Sequence, residues 1–530
     1  MAADYGKNMY KQLIEQIEEN ERLKDELKEA RQEIRVLKAE NAKLRIKIEE
    51  LTATLETRLN EEIERIKIQA VESATTPLKE EIKKAETEID RLKAIINKDS
   101  TNSSKPPSTD GLKKIMNSRE ASEHPAGGQK GHKGYRLTIP KNLDDLIEQG
   151  LAEKKTIDYT NGSEIYVSRW EIDISIKTVY TERRFPVGDP RLLEYPLQIA
   201  YGKQLKAMSI QLSTEGIISL NRMSDFYSGI TDGVLRPSES TLESFNHEFA
   251  EELEKSGKLE EIRESLLNGE VINVDETPMR STERKIYDKV GNAKKETSKK
   301  KTFNVYIRNY SNEKATLYTV NAQKDDAGVK RDGILPQYHG ILSHDHDKKY
   351  YKYSMKHATC GAHLLRDLKG LCELWKCPWA NRMRNFMSKL NEDKKEYAEQ
   401  KTKPSAEWLD EVSQEYDKLL EEGFYELKTQ GEEAFGNHEF ETMLKRLKDY
   451  KSEYLLFIRD MSAPFTNNLS ERDLRPCKTK QKVSGAFRSW LGIVDYAKIR
   501  SFISSTKKQA KNLSQEILAV LNSNYLSAEQ

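Results

Sequence analysis

The chain has 530 residues, of which 33% are charged and 36% hydrophobic, with a formal net charge of +1 and a mean hydropathy of -0.80. This length has room for roughly three or four domains, and a near-zero net charge predicts no partner by itself. Four cysteines, all after residue 359, exclude a disulfide-stabilised scaffold, and the absence of a signal-peptide pattern or a membrane-length apolar run predicts a cytoplasmic protein with no membrane partner.

Residues 1–98 are predicted to form a coiled-coil dimerisation arm. Apolar side chains between residues 20 and 55 recur with the seven-residue spacing of a leucine zipper. The proposed dimerisation residues are Leu23, Leu27, Ile34, Leu37, Asn41, Leu44, Ile48 and Leu51. A buried asparagine such as Asn41 favours a parallel, in-register homodimer. The pattern lapses at residues 74–77, because proline disfavours a helix interior. The alternative is a single solvated helix folded back on its own domain.

Residues 99–140 have the composition of an extended basic linker. Proline, serine and glycine are concentrated at 102–111 and 127–134, and residues 98–136 contain eight Lys/Arg against four Asp/Glu. An extended basic segment suits a phosphate backbone. Lys105, Lys130 and Lys133 are therefore candidate DNA contacts, and the alternative is a plain flexible tether.

Two smaller regions follow the linker. Residues 141–199 are expected to form a small β-containing domain, and residues 200–264 a helical region. The sequence Ser-Thr-Leu-Glu at 240–243, after Pro237, is a helix-start signal. A helix-turn-helix that reads DNA and a plain helical bundle fit this region equally well.

A mixed core is predicted over 265–380, followed by a charged helical insertion over 381–460 and a basic helical region over 461–530. Segments rich in apolar or β-branched residues predict its strands, at 271–275, 303–308, 315–320 and 340–345. The first of these strands ends on Asp275 and the last on Asp345, whereas Glu471 lies near the start of a helical stretch.

Three carboxylates from two strand ends and one helix can bind two divalent cations. Oxygen ligands suit Mg²⁺, for which Mn²⁺ substitutes, and such a pair activates a water or a 3′-hydroxyl for in-line attack on phosphate. Asp275, Asp345 and Glu471 are therefore the candidate catalytic and metal-binding residues. The alternative for each is an exposed acid or a helix cap.

Basic residues flank these acids in the sequence. Residues 280–301 contain nine Lys/Arg against three Asp/Glu, and residues 471–511 contain eleven against three. This predicts a DNA-binding surface, with a solvated basic face as the alternative. The candidate phosphate contacts are Arg472, Arg475, Lys478, Lys480, Lys482 and Arg488.

Four residues between 360 and 377 have the side chains of a tetrahedral zinc site. They are Cys360, His363, Cys372 and Cys377. However, residues 371–375 resemble a helix that packs Cys372 inward, and a free cysteine is often a small core residue. We therefore expect these four residues not to bind zinc.

Five sequence blocks, in this order, resemble the transposases of the insertion-sequence sixty-six family, whose leading leucine zipper also matches residues 10–60. The blocks are 102–108 (NSSKPPS), 127–132 (GGQKGH), 275–277 (DET), 360–366 (CGAHLLR) and 467–476 (NNLSERDLRP). The resemblance implies a DDE transposase with an RNase-H-like core that acts on DNA ends with Mg²⁺. It places the catalytic acids at Asp275, Asp345 and Glu471. It also implies that the block at 360–366 lies beside the active site, so that His363 and Arg366 would face the scissile phosphate, with Arg366 as its clamp.

Three features depart from the family pattern. No cysteine precedes Cys360, so the segment 141–195 must fold without the family's zinc-finger-like cysteines. Thr466 replaces an acid before the paired asparagines. His346 and Asp347 replace Gly-Tyr after the second acid, which makes Asp347 a rival to Asp345. We prefer Asp345 because it ends an apolar run.

The expected fold class is α+β multidomain, with an N-terminal parallel coiled coil, a helical DNA-binding region and an RNase-H-like α/β core that contains a helical insertion. The expected function is a DNA transposase, nucleoid-associated in a bacterial cytoplasm. Its expected partners are double-stranded terminal inverted repeats, target DNA and accessory proteins of the same element. The alternatives are an RNase-H-fold nuclease that cuts without joining, and a DNA-binding architectural protein with a lapsed active site.

Overall fold

The computed structural model describes ten ranges of the chain: 72–99, 102–103, 138–158, 164–165, 167–174, 176–194, 197–287, 292–299, 301–429 and 437–522. The predicted zipper residues lie outside these ranges, as do Lys105, Lys130 and Lys133. The chain divides into two compact units, Met1–Leu92 and Lys93–Gln530. The parallel dimer and the linker contacts therefore stay predictions.

Helix α1 spans Glu72–Ile96 and continues through Pro77. The expected lapse of the helix at residues 74–77 is therefore wrong. An interior proline removes one backbone hydrogen bond and costs about 3 kcal/mol. The residues after it are mostly leucine, lysine, glutamate and alanine, which are strong helix formers and continue the helix.

The second unit contains a mixed sheet. Its described residues include the strands β1 (Val271–Ser281), β2 (Glu283–Tyr287), β3 (Ala293–Thr297), β4 (Phe303–Ser311), β5 (Thr316–Asn321), β6 (Ile341–His344) and β7 (Lys356–Thr359). Five of them form one sheet in the order β5-β4-β1-β6-β7. Strands β1, β4 and β5 are successively antiparallel, whereas β6 and β7 run parallel to β1. The four predicted strands are confirmed as β1, β4, β5 and β6.

Strand β1 is longer than predicted. It continues past Asp275 to Ser281, because its pairing with β4 extends from Asn273 to Ser281. Its parallel pairing with β6 stops earlier, at Val274 opposite His344. Asp275 therefore lies within β1, directly after the last residue that β6 covers, and not at the end of the strand as expected.

The hairpin β2–β3 and the short strand β7 were not predicted. The hairpin is rich in lysine, arginine and glutamate, and charged residues of this kind are depleted in strands. It is anchored by cross-strand ion pairs, including Arg284 with Glu296 at 2.8 Å. Next to the hairpin, Ser281 at the end of β1 forms an isolated β-bridge with Phe487.

Helices surround the sheet and form a separate lobe. The remaining helices are α2 (Leu143–Glu148), α3 (Lys203–Thr214), α4 (Leu220–Ile230), α5 (Glu239–Lys255), α6 (Lys258–Leu267), α7 (Asp326–Asp332), α8 (Gly361–Trp375), α9 (Pro378–Glu399), α10 (Ala406–Thr429), α11 (Asn437–Asp449), α12 (Lys451–Tyr454), α13 (Leu456–Arg459), α14 (Asn468–Ser484), α15 (Trp490–Lys508) and α16 (Leu513–Asn522). The fold is thus α+β, with helices on both sides of a mixed sheet.

The two regions that precede the sheet in the chain were predicted to be helical (200–264) and β-containing (141–199). Helices α3 to α6 agree with the predicted helical region, and α5 is capped by Ser238, whose hydroxyl accepts from the amide of Thr241 at 3.1 Å. The described residues between 141 and 199 include α2 and a 3-10 turn at Pro190–Glu194 but no strand. The small β-containing domain therefore stays a prediction.

Apolar side chains cover both faces of the sheet. Ile272 and Val274 of β1 pack with Tyr310 and Leu342 on one face, whereas Met279 packs with residues of β4, α14 and α15 on the other. The predicted insertion, helices α9 to α13, packs with α8 around a separate core that contains the fully buried Trp379. The edge of the sheet at Asp275 carries the polar groups described next.

Candidate active site

Asp275 lies where β1 loses its parallel neighbour. It pairs with Asn309 on β4, one residue after Val274, the last to pair with β6. Burial, and then the negative charge of Asp345, raises the pKa of Asp275 to about 7. The amide of Glu276, which donates to Asp275 Oδ1 at 2.7 Å, opposes this shift. A carboxyl group whose pKa is raised by neighbouring acids is one that a cation would stabilise.

Asp345 directly follows β6. His344 is the residue of β6 paired with Val274, so Asp345 and Asp275 are the next residues on two adjacent parallel strands. Parallel strands present equivalent ends at the same edge of a sheet. The register therefore brings these two carboxylates to one edge of the sheet.

Glu471 lies in the first turn of α14. Two buried side chains attach this turn to the sheet. Asn467 Nδ2 donates to the carbonyl of Val274 at 2.9 Å. The hydroxyl of Ser470 donates to Asn309 Oδ1 on β4 at 2.6 Å. Because Val274 precedes Asp275, these bonds hold Glu471 beside it, and the charge of Glu471 contributes to the raised pKa of Asp275.

Four ligand-bearing side chains converge at this edge. One ligand atom each from Asp345, Cys360, His363 and Glu471 lies within 4.8 Å of the other three. Three buried atoms, Asp345 Oδ1, His363 Nδ1 and Glu471 Oε1, have no hydrogen-bond partner. His363 Nδ1 is 3.0 Å from Asp345 Oδ1 and 3.9 Å from Glu471 Oε1, without hydrogen-bond geometry. Buried polar atoms in this situation fit a divalent cation.

His363 and Arg366 lie near the start of α8 and face the acids. Burial opposes the charged form of His363, but its contacts with Asp345 and Cys360 outweigh burial and raise the pKa of His363 to about 10. Arg366 Nη2 lies 3.9 Å from Glu471 Oε1. At neutral pH, these two cations therefore offset the charge of the carboxylates.

Asp347, the rival of Asp345, points to a different set of partners. Its carboxylate lies 3.3 Å from Lys324 Nζ and 3.2 Å from Lys349 Nζ. Although burial opposes it, the charge of Lys349 lowers the pKa of Asp347. Among the described residues, the cluster of potential metal ligands contains Asp345 and not Asp347.

A buried ionic network behind Asp275 was missed by the sequence reasoning. Glu276 accepts from Arg308 Nη2 at 2.8 Å, and the two side chains are 3% and 0% exposed. Arg308 also pairs with Asp332, and Glu276 with Lys349. The signal was available in the Asp275-Glu276 dipeptide. Successive strand residues face opposite sides, so one of these acids was bound to need a buried cationic partner.

The predicted DNA contacts on and after α14 separate into two groups. Those exposed to solvent are Arg472, Arg475, Lys478, Lys482 and Arg488. Lys480 instead turns inward, and its Nζ donates to the carbonyl of Ser213 on α3 at 3.0 Å. Burial lowers the pKa of Lys480 to about 8. Lys480 therefore connects α14 to the helical region.

The cysteines considered as zinc ligands lie in different surroundings. Cys377 is buried in the core of the helical insertion, where burial raises its pKa to about 11, and Cys372 packs against the same core. Cys360 lies with His363 beside Asp345 and Glu471. In the described part of the chain, the soft ligands at the acid cluster are therefore Cys360 and His363.

Comparisons with known proteins identify the family. The Transposase IS66 family matches residues 198–494, and a family of unknown function (DUF6444) matches residues 10–138. The first match covers more than half of the chain. The chain therefore belongs to the IS66 transposase family, a class of DNA-recombining enzymes. This confirms the resemblance seen in the sequence. Comparison with curated proteins and with solved structures found no match.

None of the helices in the described ranges combines the length and the apolar character that a membrane span requires.

Proposed function

We propose that the chain is a DDE transposase that binds the ends of a mobile element and catalyses metal-dependent strand cleavage and strand transfer. The observation that carries this proposal is the meeting of Asp275, Asp345 and Glu471 at one sheet edge. The sheet supports it as well, since three antiparallel strands followed by two parallel ones, in the order β5-β4-β1-β6-β7, agree with an RNase-H-like core.

The proposed metal ligands are Asp275, Asp345 and Glu471. Two Mg²⁺ or Mn²⁺ ions bound there would lower the pKa of the attacking oxygen and stabilise the leaving oxygen. The unpartnered buried oxygens of Asp345 and Glu471 support this assignment. Asp275 and Asp345 are carried by paired strands and Glu471 by a helix bonded to the sheet, so the three carboxylates need little rearrangement to act together.

The cations around the acids are proposed to orient the DNA. Arg366, with its planar guanidinium, would clamp the scissile phosphate, and protonated His363 would donate to a neighbouring phosphate oxygen. Exposed Arg472, Arg475 and Lys478 would contact adjacent phosphates. Because α14 carries both Glu471 and these basic residues, DNA that lies along this helix has its backbone beside the acids.

The test is cleavage and joining of labelled duplexes that carry the terminal inverted repeats of the element encoding the chain. Reactions with Mg²⁺ or Mn²⁺ would compare wild type with Asp275→Asn, Asp345→Asn and Glu471→Gln, and with Asp347→Asn as the matched control. We expect nicks and joined products with wild type and the control, and at least a 100-fold loss in the other three. Full activity in Asp345→Asn together with loss in Asp347→Asn would move the second acid to Asp347.

The products separate the alternatives. Metal-dependent nicks without joined products would support the nuclease. Binding of the repeats without cleavage, unaffected by any of the substitutions, would leave a DNA-binding architectural protein and remove the catalytic assignment.

A further inference from the structure

We propose that Cys360, His363, Asp345 and Glu471 form a site for a zinc-like metal ion, and that this ion competes with Mg²⁺ for two of the catalytic acids. The existence of the site depends only on these four side chains. Its inhibitory consequence rests on the proposed function, because Asp345 and Glu471 are shared.

The spacing of the four ligand atoms suits one tetrahedral ion. Zinc bonds of about 2.0–2.3 Å place neighbouring ligand atoms roughly 3.3–3.8 Å apart. All four atoms lie within 4.8 Å of one another in the structure, so small side-chain rotations bring them to bonding distance. Cys360 and His363 come from the junction of β7 and α8, and the two acids approach from β6 and α14.

Two observations indicate that this is a ligand site and not a packed core. Asp345 Oδ1, His363 Nδ1 and Glu471 Oε1 are buried atoms without hydrogen-bond geometry, and they lie close to one another, with 3.0 Å between His363 Nδ1 and Asp345 Oδ1. Cys360 is 1% exposed, yet none of the hydrophobic clusters among the described residues contains it. Its sulfur accepts a hydrogen bond from the amide of Asn467 at 3.3 Å.

The ligand types determine which metals bind. A thiolate and a neutral imidazole, formed when the incoming ion displaces the protons of Cys360 and His363, favour Zn²⁺, Co²⁺ or Cd²⁺, whereas Mg²⁺ requires oxygen ligands in octahedral geometry. Asp275 is not among the four proposed ligands of this ion. A zinc-like ion bound to Asp345 and Glu471 would therefore exclude Mg²⁺ from these two acids without using Asp275. We infer that the chain is inhibited by zinc through Cys360.

The first test uses Co²⁺ as a spectroscopic substitute for zinc on the full-length protein. We expect one equivalent of Co²⁺ to produce a near-ultraviolet thiolate-to-cobalt band and the strong visible bands of a tetrahedral ion, which Zn²⁺ then removes. Cys360→Ser should lose the thiolate band and bind Zn²⁺ at least 10-fold more weakly. Cys372→Ser is the matched control, because Cys372 lies in α8 and is not one of the four proposed ligands. This variant should keep both the thiolate band and the affinity for Zn²⁺.

The wild-type spectrum tests the proposal even if Cys360→Ser does not fold. A wild-type spectrum without a thiolate band, or an unchanged band in folded Cys360→Ser, would overturn the site. His363→Gln provides a second variant and should alter the visible bands.

A separate titration measures inhibition. Zn²⁺ would be added to cleavage reactions at fixed Mg²⁺, with each protein normalised to its own reaction without zinc. We expect Cys360→Ser to need at least 10-fold more Zn²⁺ than wild type or Cys372→Ser. Equal zinc sensitivity in all three would refute competition at this site. If no cleavage occurs with any metal, the proposed function fails, while the cobalt spectrum still decides the metal site.

Discussion

Glu276 and Arg308 link the position of Asp275 to the interior of the protein. Neighbouring strand residues face opposite sides of the sheet, so Glu276 points inward where Asp275 points to the acid cluster. Removal of Arg308 would leave the buried carboxylates of Glu276 and Asp332 without their shared cation. An unpaired buried charge is far more costly than the net value of the pair.

Arg308→Ala is therefore expected to lower the free energy of unfolding by about 3–5 kcal/mol. Arg382→Ala is the matched control, because Arg382 also pairs with a carboxylate, Glu426 at 3.0 Å, but its side chain is 45% exposed. The control should change stability by less than about 1 kcal/mol. Urea unfolding monitored by circular dichroism measures both. Losses of similar size in the two variants would contradict the role assigned to the buried network.

Asn467 is expected to position Glu471 without contacting DNA. Asn467→Ala removes the bond to the carbonyl of Val274 and should lower the unfolding free energy by about 1–3 kcal/mol. Cleavage should fall mainly in kcat, since Glu471 loses its fixed position, while the KM for DNA changes little. Asn468→Ala, at the exposed neighbouring position, is the control. A change in KM alone would instead indicate a direct DNA contact.

The sequence predicted the three acids but not what holds them in place. Asp275 and Asp345 could be found because each follows an apolar run, and Glu471 because it opens a helical segment rich in basic residues. The bonds from Asn467 to Val274 and from Ser470 to Asn309 join residues more than 150 positions apart. No local pattern encodes such pairs. The inward orientation of Lys480, which depends on the packing of α3, was equally hidden.

At the scale of elements, strands with a buried apolar side were predictable and charged or short ones were not. The extension of β1 to Ser281 depends on long-range pairing with β4 and on a bond from the amide of Phe487 to the carbonyl of Arg280 at 2.9 Å. Sequence propensity contains no term for these partners. The same limit explains why the hairpin β2–β3 was missed.

The paired strands β6 and β7 contain a buried histidine pair that should make the fold sensitive to acid. His344 Nε2 lies 3.1 Å from His357 Nδ1, and burial lowers the pKa of His344 to about 4. The ordinary value is 6.5, so between pH 4 and 6.5 the unfolded chain binds more protons than the folded chain. The contribution of His344 to the free energy of unfolding is therefore fully present above pH 6.5 and is lost as the pH falls to 4.

His344→Gln is expected to flatten this pH dependence. Protonation of His344 in the unfolded chain lowers the free energy of unfolding by roughly 3 kcal/mol between pH 6.5 and 4. Urea midpoints measured across this range should fall less steeply in His344→Gln than in wild type. His438→Gln, at an exposed position on α11, should retain the wild-type slope. Parallel slopes for wild type and His344→Gln would show that the acid sensitivity arises elsewhere.

At the scale of the whole molecule, the predicted zipper should determine the oligomeric state. Leu37→Asp combined with Leu44→Asp places charges at two core heptad positions and should convert a dimer into a monomer. Gln32→Asp combined with Ala39→Asp adds the same number of acids at outward positions and should remain dimeric. Sedimentation velocity of the full-length proteins distinguishes these outcomes. A dimer in both double variants would exclude the zipper as the sole dimer contact.

The chain segment that contains α8 and the helical insertion begins and ends at one point of the core. The amide of Gly361 donates to the carbonyl of Phe465 at 2.7 Å, and a side chain at Gly361 would collide with the Phe465 ring. The chain between these residues thus leaves and returns at the same place. Closing a longer or shorter loop there changes the entropy cost by only about 0.6 kcal/mol per doubling of length. The connection beyond α8 can therefore change in length at little entropic cost while Glu471 stays aligned with Asp275, provided that the side chains packed against α8 are kept.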